Sequence, residues 1–163
     1  MIYAGIGSRE TPSDIIDTME TIGKYLAEAG HTLRSGHAGG ADMAFENGCD
    51  TVNGDKTIFL PWKGFNGSDS QFYTVSTEAM ELAMQYHPAW QRLTQGGQKL
   101  MARNAYQVLG YELDTPADFI VCWTVKGQKT GGTGQALRMA ADYQIPVFNL
   151  FHGTAALKAF IKK

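Results

Sequence analysis

Ser35-Gly36-His37-Ala38-Gly39-Gly40-Ala41-Asp42 is the stretch that decides the fold. It follows a short strand pattern at residues 31–35 and opens a helical pattern from about Ala41 to Cys49. A strand that ends in a glycine turn and runs straight into a helix is the start of a βα unit. It brings bare backbone N–H groups and a helix N-terminus to a sheet edge, where a phosphate can sit. Thr130-Gly131-Gly132-Thr133-Gly134-Gln135 repeats the arrangement in the second half, after the apolar run Ala117 to Thr124 and before a helical pattern over about 134–143.

Outward from these loops, strand and helix signals alternate. Residues 2–6 read as a strand broken by Gly7-Ser8-Arg9-Glu10-Thr11-Pro12. Ile15, Met19, Ile22, Leu26 and Ala29 then step by four and three, one face of a helix capped by Ser13 or Asp14 and ended by Gly30. Lys56 to Trp62 reads as a third strand, 63–71 as a polar loop, 73–86 and 97–109 as helices, Pro146 to Phe151 as the last strand and 154–162 as a closing helix. Continuous apolar strands in β-α-β-α order predict a Rossmann-like, doubly wound α/β fold, with a mainly parallel sheet and helices on both faces. One domain over 1–163 is expected, with its ligand crevice beyond the strand C-terminal ends. Gly7-Ser8-Arg9, the 35–42 loop, Pro61-Trp62 and 123–134 all fall on that edge.

Composition narrows the function. With 44% hydrophobic and 18% charged residues the chain reads as an ordinary globular protein. A net charge of −2 gives no basic field for nucleic acid or anionic membrane, so nucleic acid is a disfavoured partner that is not excluded, and no run is long enough for a membrane span. The N-terminus lacks the basic start of a signal peptide, and Cys122 lies in a buried strand pattern. Both point to a reduced, cytoplasmic chain. His31, His37, His87 and His152 make no metal-ligand spacing, and no metal or cofactor is expected. Walker lysine-serine and Gly-x-Ser-x-Gly patterns are absent.

The edge carries the candidate site. Ser8 and Arg9 can reach phosphate or ribose, or form a capped N-terminal loop. Asp42 and Glu46 lie four apart on one helix, hence on one face, as a carboxylate pair for acid or nucleophile work, or as a cap and a buried hydrogen bond. Trp62 and Trp123 end strands and can stack on a base or sit half-buried. His37 can donate to a phosphate or point to solvent, and Lys126 and Lys129 can close over an anion or stay solvated.

Gly5-Ile6-Gly7-Ser8-Arg9, the 35–42 loop, Arg103-Asn104 and Gly131-Gly132-Thr133-Gly134 together resemble the Rossmann-like core of the DNA-processing protein A (DprA) family and, more broadly, the SLOG superfamily. Phe45-Glu46, Leu60-Pro61-Trp62, His87-Pro88-Ala89-Trp90 and Gln107-Val108-Leu109-Gly110 look like small DprA-like proteins of phage genomes. The resemblance implies Arg103 as a phosphate or carboxylate clamp beside Asn104. Ser35, Gly36, His37, Gly39, Gly40, Asp42, Gly131, Gly132, Thr133, Gly134 and Gln135 would line the same site. Gly39 stands where the DprA family usually has an arginine. Gln135 or Arg138 stands where the Lonely Guy nucleotide hydrolases, more distantly similar, need a glutamate.

Three functions follow. The first is a binder of a nucleotide or nucleotide-derived signal, sequestering it as a phage anti-defence protein. The second is a nucleotide N-glycosidase using Glu46 or Asp42 with Arg103. The third is a DprA-like single-stranded DNA accessory protein. Whether the chain is an enzyme stays open. The resemblance also implies a homo-oligomer, for which Met80, Leu82, Ala83, Met84, Tyr86 and Trp90 can form an interface or simply pack on the sheet.

Overall fold

A computed structural model describes residues 1–163. Five strands, β1 (Ile2–Gly5), β2 (Thr32–Ser35), β3 (Lys56–Ile58), β4 (Phe119–Cys122) and β5 (Val147–Asn149), form one wholly parallel sheet in the order β3-β2-β1-β4-β5. Six helices cover it: α1 (Ser13–Glu28), α2 (Ala41–Asp50), α3 (Thr77–Tyr86), α4 (Gln95–Leu109), α5 (Gly131–Asp142) and α6 (Ala155–Ile161). This is the doubly wound α/β architecture the alternation predicts.

The period-two alternation of each strand sorts the core. Tyr3, Leu33, Phe119, Val121 and Trp123 face Met19, Leu26, Phe45 and Leu157 of α1, α2 and α6. Ala4, Ile6, Ile120 and Cys122 face Ala105, Leu109, Ala136 and Met139 of α4 and α5. A third cluster joins Phe59 to Ala79 and Ala83 of α3 and Tyr106 of α4. No helix is long and apolar enough to cross a membrane.

Several boundaries differ from the sequence reading. Strand β3 ends at Ile58, with one further bridge from Phe59 to Phe72, and β5 gives way to a 3-10 turn at Leu150–His152. Helix α3 begins at Thr77 rather than 73, because the Ser76 side chain accepts from Ala79 N–H while the Tyr106 hydroxyl accepts from Ser76 N–H. Helix α5 begins at Gly131 rather than 134. The second glycine stretch is therefore the helix's own first turn. The α3 stripe turns inward at Ala79, Ala83, Leu82 and Tyr86, and Met84 is left exposed.

Candidate functional site

The order of strand connection reverses across the sheet between β1, which leads outward to β2, and β4, which leads the opposite way to β5. Ligands of such sheets bind beyond the strand ends at that reversal. A cleft of about 500 Å³ opens there, walled by Gly7, Ser8, Arg9 and Glu10 after β1, Ala38, Gly39 and Asp42 after β2, Phe65 after β3, residues of α4, and Thr130 to Thr133 after β4. Of the residues expected at the site, Gly7, Ser8, Arg9, Gly39, Asp42, Arg103, Asn104, Gly131, Gly132 and Thr133 line it together.

Arg103 is the centre of the arrangement. It is 4% exposed. Nη1 donates to the carbonyls of Gly36 (2.6 Å) and Phe59 (3.2 Å), and Nε donates to Asn104 Oδ1 at 3.0 Å. The Phe65 ring covers the guanidinium, 5.4 Å from centroid to Cζ. None of these hydrogen bonds uses Nη2, and no carboxylate closes an ion pair with the guanidinium. Burial lowers the Arg103 pKa and Asp42 opposes that shift, yet arginine keeps its charge in proteins. Arg103 is thus a buried cation with an unused Nη2 donor and no carboxylate within ion-pair distance.

Asp42 lies in the first turn of α2, 6% exposed. Its Oδ2 accepts from Ala38 N–H at 3.3 Å, which ties the glycine loop to the helix. Burial pushes its carboxyl above the ordinary carboxylate range, against the pull of Arg103 and hydrogen bonds from Ala38, Ser35 and Gly36.

The start of α5 faces the same cleft. No side chain caps it, so its first N–H groups are free of a protein side-chain acceptor. Gly132 allows close packing here: a Cβ would lie 3.1 Å from Met101 Cε and 3.4 Å from Asn104 Nδ2. Asn104 in turn holds Arg103, so the helix N-terminus and the guanidinium share one neighbour.

The other expected residues lie elsewhere. Ser35 is buried beneath the site, its hydroxyl donating to Gly5 O at 2.7 Å. Gly36 serves from behind, through its carbonyl on Arg103. Gly40 caps α2 with φ 86°. His37, at φ 58°, turns away to meet Glu46 Oε1 at 2.7 Å. Glu46 also accepts from Lys56 Nζ at 2.8 Å and does not join Asp42 in the cleft. Helix α2 runs away from the sheet edge, so four residues carry Glu46 about 6 Å deeper. Trp123 is 9% exposed, in the α1-α2-α6 core. Gly134 packs on Lys129, where a Cβ would lie 2.5 Å from the carbonyl carbon. Gln135 donates to Met101 O at 2.9 Å, and its Oε1 has no partner. Trp62 does not line the cleft but is exposed and in edge-to-face contact with Phe65, which does.

The sequence reading missed Glu10, Phe65 and Gln107. Gln107 is 2% exposed, lines the cleft, and has no hydrogen bond on its amide. Its position four after Arg103, on one helix face, was the available signal. Phe65 gave none, since it sits in a loop without periodicity.

No family model matches the chain, and no curated protein matches it. Among solved structures its fold is similar to DNA processing protein A from Helicobacter pylori, a structure described for the single-stranded DNA binding mode of that protein. Identity is 18% and the TM-score 0.59. The alignment covers 91% of this chain and 64% of that one, so the chain spans less than two thirds of its neighbour's length, and the likeness shows a shared fold.

Proposed function

We propose that the cleft binds the phosphate-bearing end of a nucleotide and holds the ligand intact. The observation that carries this reading is the buried Arg103 guanidinium, whose Nη2 has no protein acceptor, in a cleft that also receives the uncapped start of α5. A phosphate accepts from both kinds of donor at once. The volume of about 500 Å³ falls in the usual range for small-molecule pockets. In its narrowest form the reading is sequestration of a nucleotide signal.

The test is mass spectrometry on a panel of monophosphates, NAD, ADP-ribose forms and cyclic nucleotides incubated with the purified protein. A nucleotide missing from the filtrate and returned intact by heat is the expected result. Free base in the filtrate would replace binding with N-glycoside cleavage, with Asp42 the carboxyl placed to take part.

The fold likeness to a single-stranded DNA binder favours a second reading, in which the same donors meet a strand phosphate. A strand that neutralises several cations binds with a steep salt dependence, whereas a nucleotide held at one guanidinium binds with a shallow one. The net charge of −2 supports the first reading.

A further inference from the structure

Trp62 is 41% exposed on the loop after β3. Its indole meets the Phe65 ring edge to face, at 5.3 Å and 86°. Phe65 lines the cleft and covers Arg103. The Cζ3 corner of the indole also reaches the start of α4, where a Cβ on Gly96 would lie 3.8 Å away, and the next residue, Gly97, is a cleft wall. Trp62 does not itself line the cleft; it stands directly behind lining residues, exposed, at the outer end of a continuous series of indole, phenyl ring and guanidinium.

The loop holds this geometry by its backbone. Gly64, Asn66 and Gly67 take φ of 77°, 49° and 78°, which folds residues 64–68 into a tight turn. Asn66 Nδ2 donates to His37 O at 3.1 Å and ties that turn to the first glycine loop. The loop that carries Phe65 is thus linked to the first glycine loop by a side-chain hydrogen bond.

We infer that Trp62, backed by Phe65, is the stacking surface for the nucleobase of the ligand, an assignment that rests on the nucleotide reading above. A nucleotide has a charged end and a flat end joined by a sugar. The cleft has an anion receptor inside and a flat aromatic face outside, separated by one phenyl ring. Every base has a π-face, so an exposed indole accepts any of them, from a mononucleotide or from a strand. Phe65 orients the indole from one side and the cation from the other.

The test is a titration of the full chain with ribose 5-phosphate, each of the four ribonucleoside 5′-monophosphates, and an oligothymidylate, read by calorimetry and tryptophan fluorescence. Within wild type, at least one base-bearing ligand is expected to bind about tenfold tighter than ribose 5-phosphate and to quench the fluorescence. Trp62→Leu should lose that excess and the quench, and Trp62→Phe should keep part of the excess, both with wild-type melting temperatures. An excess that survives Trp62→Leu overturns the stacking assignment, as does a wild type that binds ribose 5-phosphate as tightly as every nucleotide and the oligothymidylate. If ribose 5-phosphate and all nucleotides fail to bind, the nucleotide reading itself falls, and if the oligothymidylate fails as well this assignment falls with it. A Trp62-dependent excess confined to the oligothymidylate upholds stacking and names a strand as its source.

Discussion

The carbonyl oxygen of Gly36 accepts from Arg103 Nη1 at 2.6 Å, joining the first glycine loop to the middle of α4. The contact requires a bare Cα. A Cβ on Gly36 would overlap Gln107 Nε2 and lie 2.6 Å from Arg103 Nη1. Both atoms end flexible side chains, so Gly36→Ala should fold, at a cost of about 1 kcal/mol, while pushing the guanidinium out of position. Ribose 5-phosphate affinity measured by calorimetry should fall at least tenfold. Unchanged affinity would remove Arg103 from the anion site.

Gly39 is the opposite case. It lines the cleft, its φ is not in the left-handed region, and nothing lies within 4 Å of where its Cβ would be. Gly39→Arg should keep the wild-type melting temperature and add a cation to the cleft wall. Affinity for phosphate ligands should rise and its salt dependence steepen. A large drop in melting temperature would mean the loop needs glycine for a reason its backbone does not reveal.

Asp42 gives a pH signature. Burial holds its folded pKa above the unfolded value. The folded state therefore keeps a proton that the unfolded state releases first. Ionising Asp42 then costs stability as pH rises from the usual carboxylate range through the folded pKa. Asp42→Asn removes that cost, so denaturant melts should show a variant matching wild type in acid and exceeding it, by about 1 kcal/mol, at pH 8. A gain that shrinks as pH rises would reverse the sign and mean that Arg103 outweighs burial.

Glu46 accepts from His37 and Lys56 and does not line the cleft. Glu46→Gln should leave ligand affinity within twofold. Because Lys56 is partly exposed, the loss of stability should stay below about 1 kcal/mol. Loss of product formation in this variant, with binding intact, would restore it as a catalytic acid.

The presence of all five strands and their approximate positions along the chain were legible in the sequence, from short apolar or β-rich runs set between turn and helix signals, whereas the spatial order β3-β2-β1-β4-β5 was not. The edge on which the ligand loops converge was legible too. The faces were less so. Trp123 shares parity with Phe119 and Val121, and all three point into the α1-α2-α6 core. Because β4 is apolar on both sides, hydrophobicity could not say which way its last residue turns. Asp42 and Glu46 share a helix face, but the slope of α2 away from the edge comes only from packing. Phe65 became a wall through positive-φ residues on either side of it, which leave no periodic mark.

The first turn of α5 reads Gly131-Gly132-Thr133-Gly134 and has no side-chain cap. Gly131 takes φ 67°, where glycine is favoured, but Gly132 and Gly134 each have a helix propensity about 1 kcal/mol below alanine. This start is therefore weak until something accepts from its amides. An anion bound there would act as the missing cap, so part of its binding free energy would go into holding the first turn against fraying. Amide hydrogen exchange at 131–134 should slow on ligand addition, and ligand occupancy would be written into the backbone as reduced fraying of the helix's first turn.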